Sequence, residues 1–211
     1  MKKIVSLIVF MLAMASVFGV IACGSTNGGG GGTQTRVTYE VAVDAKNATI
    51  DTDGVSVCIY STKGTAVEQS ALSQGKAVFE LPMGRYVATL SGLSEEVSYS
   101  SALLTENNNK ATITLDKSDY DEFADPERSP FTFAFTVILL VSDVDIDNLF
   151  VQVCDDNACI PVWFEDGNIA DVYLNVGNYY VKAHMYADED NELYHEDYTV
   201  TLDKRFCVIA F

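Results

Sequence analysis

The chain has 211 residues, with 30 Asp and Glu against 13 Lys and Arg, for a formal net charge of −17. So acidic a surface offers no basic patch to nucleic acid, and an anionic bilayer repels it. No nucleic-acid partner is expected, and any membrane attachment has to come from something other than charge. The acidity is uneven, because residues 131–211 hold fifteen acids and three bases, a balance of −12, against −4 over 36–116 and −3 over 117–130.

At the amino terminus Lys2 and Lys3 precede a run, Ile4 to Val20, that is apolar apart from Ser6, Ser16 and Gly19. Val20-Ile21-Ala22-Cys23 follows. This segment resembles the lipobox of bacterial lipoproteins, with an aliphatic residue at −3, a small one at −1 and Cys at +1. The resemblance implies a signal peptide over 1–22, cleavage before Cys23, and a lipid such as palmitate on its thiol as the link to a membrane. A spanning helix needs about 20 apolar residues, and the polar, glycine-rich sequence after Cys23 suits processing better than stop-transfer. Gly24 is not the Asp that retains some lipoproteins at an inner membrane. The family pattern therefore implies the outer membrane in a diderm cell, or the outer face of the cell membrane in a monoderm. Residues 23–35 contain five consecutive glycines, Gly28 to Gly32, and read as a flexible tether with no apolar surface to bury.

Beyond the tether the pattern is strands. Val37, Tyr39, Val41 and Val43 alternate with polar neighbours, as do Val55, Val57 and Ile59, the period-2 mark of a half-buried strand. Tyr86, Ala88 and Leu90, then Ile113 and Leu115, repeat it, with Gly, Asn, Asp and Ser between the runs. Such spacing predicts an all-β sandwich.

An internal repeat organises these strands. Residues 54–60 read GVSVCIY and 75–90 read GKAVFELPMGRYVATL; in the second half, 149–154 read LFVQVC and 167–183 read GNIADVYLNVGNYYVKA. Gly75, Leu81, Gly84 and Tyr86 correspond to Gly167, Leu174, Gly177 and Tyr179, with one extra residue in the second copy. Cys58 and Cys154 each directly follow a Val, which suggests that they too correspond. In each copy a Gly relaxes a tight turn, and the Tyr after it opens the return strand with its ring on the core and its hydroxyl on a backbone partner. The first copy resembles the prealbumin-like, carboxypeptidase regulatory-domain-like sandwiches, which are seven-stranded Ig-like modules. The second departs from them, with Val176 in place of the Pro and Asp171 and Tyr173 in the Phe strand. The resemblance implies two tandem antiparallel β-sandwiches, 36–116 and 131–211, and a non-catalytic role. Lys117 to Pro130, rich in acids and holding Pro126 and Pro130, reads as an exposed linker at which the domains hinge.

Apart from Cys23 four cysteines remain. Cys154 and Cys159 flank the turn-like Asp155-Asp156-Asn157-Ala158, so a disulfide is expected across that hairpin of an exported chain. Cys58 and Cys207 either staple the two domains together or stay as buried thiols.

No enzyme is expected: the two histidines, His184 and His195, lack the nucleophile–base–orienter pattern that catalysis needs, and His195-Glu196 has no second His at helical spacing. No cofactor is expected either, unless calcium binds. Asp143, Asp145 and Asp147 alternate like the opening of a calcium loop, without the Gly and Glu such a loop requires. Trp163 is the candidate contact residue. In one register it points outward beside residues such as Tyr173 and forms a platform for a protein or glycan; in the other it is core. The sequence thus predicts a lipid-anchored binding, adhesion or display module of the cell envelope, the alternative being a structural or assembly component there.

Overall fold

The computed structural model describes residues 35–46, 50–125, 127–140, 148–164 and 167–211. Among the described residues sixteen strands fall into two sets of eight. The first set is β1 (Arg36–Ala45), β2 (Ser56–Ser61), β3 (Ala66–Ala71), β4 (Lys76–Pro82), β5 (Tyr86–Ser91), β6 (Val97–Ser98), β7 (Ala102–Leu104) and β8 (Lys110–Lys117). The second is β9 (Asp119–Tyr120), β10 (Phe131–Leu140), β11 (Leu149–Cys154), β12 (Cys159–Val162), β13 (Ile169–Leu174), β14 (Gly177–Met185), β15 (Asp188–Val200) and β16 (Phe206–Ala210). Among the described residues there is no α-helix.

Each set closes a two-sheet sandwich. The first pairs sheet β4-β1-β8-β6 with sheet β3-β2-β5-β7; the second pairs β13-β10-β16 with β12-β11-β14-β15, and β9 joins β10. Seven strands of each set superpose in order, β4-β1-β8 on β13-β10-β16 and β3-β2-β5-β7 on β12-β11-β14-β15, while β6 and β9 have no counterpart, so the duplication seen as sequence motifs is also one of topology. All pairings are antiparallel except β1 with β8 and β10 with β16. Those strands open and close their sandwich side by side, with the rest of the domain as the long connection that a parallel pair requires.

Alternation builds both cores. Tyr39 and Val41 of β1, Val57 and Ile59 of β2, and Phe79 and Leu81 of β4 are buried in the first. Phe133, Phe135, Val137 and Leu139 of β10 meet Val151, Val153 and Val181 in the second. The hairpin tyrosines behave alike: Tyr86 donates its hydroxyl to the Pro82 carbonyl at 2.8 Å, and Tyr179 donates to the Asn175 carbonyl at 3.2 Å. This bond back to the preceding corner of the backbone is the tyrosine-corner device of Ig-like sandwiches. It sets Asn175, not Val176, at the place of Pro82.

Strand register also corrects the cysteine alignment. Val57 pairs with Leu90 and Val151 with Ala183, each four residues past its corner tyrosine. Val151 is therefore the counterpart of Val57, Gln152 of Cys58, and Cys154 of Tyr60. The shared Val-Cys pair is a coincidence of two positions two residues apart.

A hinge between the domains is not what the contacts describe. The outer face of β2-β5-β7 lies against the outer face of β10-β16, where Val87, Ile138 and Phe206 form a buried cluster flanked by Tyr60, Leu103, Leu140 and Val208. Ala134 N–H donates to Ser98 Oγ at 2.7 Å and Ser101 N–H to Thr136 Oγ1 at 2.8 Å. Arg205, fully buried, donates to the carbonyls of Val97, Ser94 and Leu202. Its guanidinium lies 4.2 Å from the ring centre of Phe133 and 4.8 Å from that of Tyr99. Burial lowers its pKa. β5 and β10 are buried on both faces because one face serves its own core and the other serves this interface.

Candidate functional site

The outer face of β12-β11-β14-β15 carries a group of aromatic residues that neither core uses. Leu149, Val151 and Val153 of β11 point inward, so Phe150 and Gln152 point outward; on β14 the same parity puts Tyr180, Lys182 and His184 outside. Phe150 stands opposite His184, and Gln152 opposite Lys182. The Phe150 ring is 5.2 Å from His184, 5.2 Å from Tyr186 and 6.4 Å from Trp163, at interplanar angles of 65°, 44° and 64°. Trp163 is 63% exposed and Tyr186 46%, whereas His184 is buried beneath them and its Nδ1 lies 3.0 Å from the Met185 carbonyl. Farther along the face His195 stacks on Tyr180 at 5.1 Å and bonds Glu192 through Nδ1 at 2.8 Å.

Trp163 thus takes the outward of its two expected orientations. Its neighbour is Phe150 rather than Tyr173, which is exposed on β13 in the opposite sheet. Phe150 and Tyr186 were not singled out in the sequence, and His184 was weighed only as a catalytic residue, yet a signal existed. Phe150 occupies a polar-parity place in an alternating strand where the first copy has Ser56. By the same register His184 replaces Ser91.

Cys154 and Cys159 are joined by a disulfide with Cα atoms 4.0 Å apart. The bridge closes the β11–β12 hairpin four residues before Trp163. Inside the turn Asp155 Oδ1 accepts the N–H groups of Asn157 and Ala158, both at 2.8 Å, and Oδ2 lies 3.4 Å from Arg128 Nη1. These donors, Asn157 foremost, hold the Asp155 carboxyl below its usual range. Arg128 also reaches the Tyr179 hydroxyl at 3.4 Å, so the segment between the sandwiches is pinned to the second one. A groove of about 340 Å³ beside it is lined by Phe123, Ile160 and Tyr173.

Cys58 and Cys207 are free and buried. Cys207 lies in the second core, and burial pushes its thiol well up; Cys58 lies 3.4 Å from Ser91 Oγ. The disulfide staple between domains is therefore not the arrangement present. Val20, Ile21, Ala22 and Cys23 lie outside the described residues, as do Asp143, Asp145 and Asp147. Among the described residues no three His, Cys, Asp or Glu gather as metal ligands.

No family model matches the chain and no curated protein does. Among solved structures it is similar to the Bacillus anthracis TIE protein, at 15% identity and a TM-score of 0.31, over 83% of this chain and 34% of that one. It is also similar to the shaft pilin SpaA of Lactobacillus rhamnosus GG, at 10% identity and a TM-score of 0.31 over 83% and 98% of the two chains. The pilus adhesin SpaC of that organism matches at 13% identity and a TM-score of 0.29 over 84% and 29%. The chain spans about a third of the length of the TIE protein. At TM-scores near 0.3 these likenesses carry no role for this chain; the sandwich assignment rests on the strand pairing above.

Proposed function

We propose that this chain is a lipid-anchored, non-catalytic binding module displayed at the cell envelope, and that the second sandwich presents its contact surface. The observation that carries the reading is the aromatic group of Phe150, Trp163 and Tyr186 on the outer sheet face, with Trp163 and Tyr186 exposed. Exposed aromatic clusters of this kind mark contact sites in soluble domains. The sequence around Cys23 supports the anchor, and the glycine-rich stretch after it supplies the spacing from the bilayer.

The test joins anchor and display. Cells expressing the chain are fed a palmitate analogue and then shaved with protease while intact. Label on the wild type but not on Cys23→Ala, together with loss of residues 36–211 on shaving, is the expected result. Equal labelling of both forms would remove the anchor. Protection in intact cells with digestion after the envelope is opened would replace display with a role inside the envelope. A second reading, a structural component of the envelope, is favoured by the interface around Arg205, which packs the two sandwiches against each other.

A further inference from the structure

We infer that the aromatic face of the second sandwich is a docking site for a basic polypeptide segment, whose lysine or arginine side chains seat among Phe150, Trp163 and Tyr186. This rests on the binding-module reading above and names the class of partner.

The internal duplication shows what this face is for. In the first sandwich the equivalent face, that of β2-β5-β7, is the one buried against the second sandwich. Among the described residues nothing lies over the same sheet of the second sandwich, and its face carries different residues, with Phe150 for Ser56, His184 for Ser91 and Cys154 for Tyr60. A docking face has been kept and its chemistry changed.

A second copy stacked in the same way does not fit. The surface it would bring is the outer face of β1, where Thr38, Glu40, Ala42 and Asp44 stand at the places of Ala134, Thr136, Ile138 and Leu140. Polar and charged side chains, among them Asp44 and the Glu40–Lys76 ion pair at 3.0 Å, would then meet the rings in place of the aliphatic side chains that seal the internal interface.

Ring geometry and charge favour a cation. The three neighbours of Phe150 stand at 44° to 65° to it, which makes walls rather than the flat shelf on which a sugar ring stacks. Ring faces carry the negative end of the aromatic quadrupole and attract ammonium and guanidinium groups. Asp188 and Glu192 are exposed on the adjoining strand, paired with Met185 and His184, and residues 131–211 carry a balance of −12. Lys182 also lies on this face, one row away, opposite Gln152 and His195. The site is open, with Trp163 63% exposed, so it suits a side chain projecting from a larger partner rather than an enclosed free cation.

Trp163 is the only tryptophan, so its emission reports the site directly. The full chain from Cys23 onward is titrated with a lysine-rich decapeptide, its glutamine counterpart and a neutral glucan hexasaccharide. The expected result is a saturable change in Trp163 emission with the lysine peptide only. Affinity should fall about tenfold or more in Tyr186→Ala and several-fold in the double variant Asp188→Asn/Glu192→Gln, and it should weaken with salt. Both variants are checked for unchanged circular dichroism. Lysine-peptide binding that is unaltered in Tyr186→Ala would overturn the inference, because it would be diffuse attraction to an acidic surface. Saturable binding of the hexasaccharide in place of the peptide would overturn the basic partner and leave the binding module standing. If neither binds and the chain self-associates through Trp163, both readings fall.

Discussion

Arg205 has its charge met by three carbonyl oxygens and two ring faces. A planar fork with five donors can serve carbonyls on both sandwiches at once, which a lysine ammonium cannot. Arg205→Met leaves the buried carbonyl of Val97 without this donor and is expected to cost about 3 kcal/mol in urea denaturation. Arg205→Lys should recover only part of this; full recovery would show that charge alone matters there. Asp155 makes a prediction of the opposite kind, in pH. Its folded pKa is depressed below 3.8, chiefly by the Asn157 N–H, so its stabilisation is present above the unfolded pKa and is lost as pH falls through the folded one. Wild type should exceed Asp155→Asn in stability at neutral pH, and the gap should close below the usual carboxylate range. A gap that persists unchanged to the acid limit would remove the charge from the account. The Asp155 turn was legible as a turn but its Arg128 partner was not, and Arg205 was not legible at all, because Val97, Ser94 and Tyr99, its partners on the other sandwich, lie more than a hundred positions away.

At the scale of strands, the sequence was readable where one face is buried and one is wet. β1 and β2 alternate and are legible from that alone; over β4 the alternation of Val78 with Glu80 marks a strand but not its buried face, which is that of Ala77, Phe79 and Leu81 while Val78 is exposed. β10 reads FTFAFTVILL, alternating over its first six residues and continuously apolar over its last four, and it is buried on nearly every residue, as is β5. A continuous apolar strand signals cover on both faces, and that was the overlooked evidence for an interface where a hinge was expected. The outward turn of Trp163 was undecidable from the run Ile160-Pro161-Val162-Trp163-Phe164, because a one-residue slip exchanges the two faces. The Cys154–Cys159 bridge was legible from spacing and compartment. It ties β12 to β11 just before Trp163, so it ought to bear on the contact surface as well as on stability. For so short a loop the chain-entropy model gives about 2 kcal/mol. The double variant Cys154→Ser/Cys159→Ser should therefore melt about 4–8 °C lower, with Trp163 emission shifted toward that of free indole before global unfolding. An unchanged melting point would show that the hairpin is held by its ladder and by Asp155.

Over the whole molecule the question is whether two sandwiches behave as one. Domains joined in one chain move independently unless their interface is large and apolar. Here the interface joins an apolar cluster of Val87, Ile138 and Phe206 to backbone N–H groups that bond hydroxyls across the boundary. Separating the sandwiches exposes all of these and strips Arg205 of the carbonyls of Val97 and Ser94, so partial unfolding gains little over complete unfolding. One cooperative transition is the expected outcome. It can be seen without any label, because Trp163 reports the second sandwich alone while far-ultraviolet circular dichroism reports both. In wild type the two denaturation curves should coincide. Val87→Asp places an unpaired charge in the cluster without touching either core, and it should separate the curves into two midpoints by weakening the coupling more than the parts. Curves that already diverge in the wild type would mean that the sandwiches fold as independent units and that the shared face only rests in contact. The structural-component reading would then lose its physical basis, while the aromatic face, built wholly from the second sandwich, would keep its own.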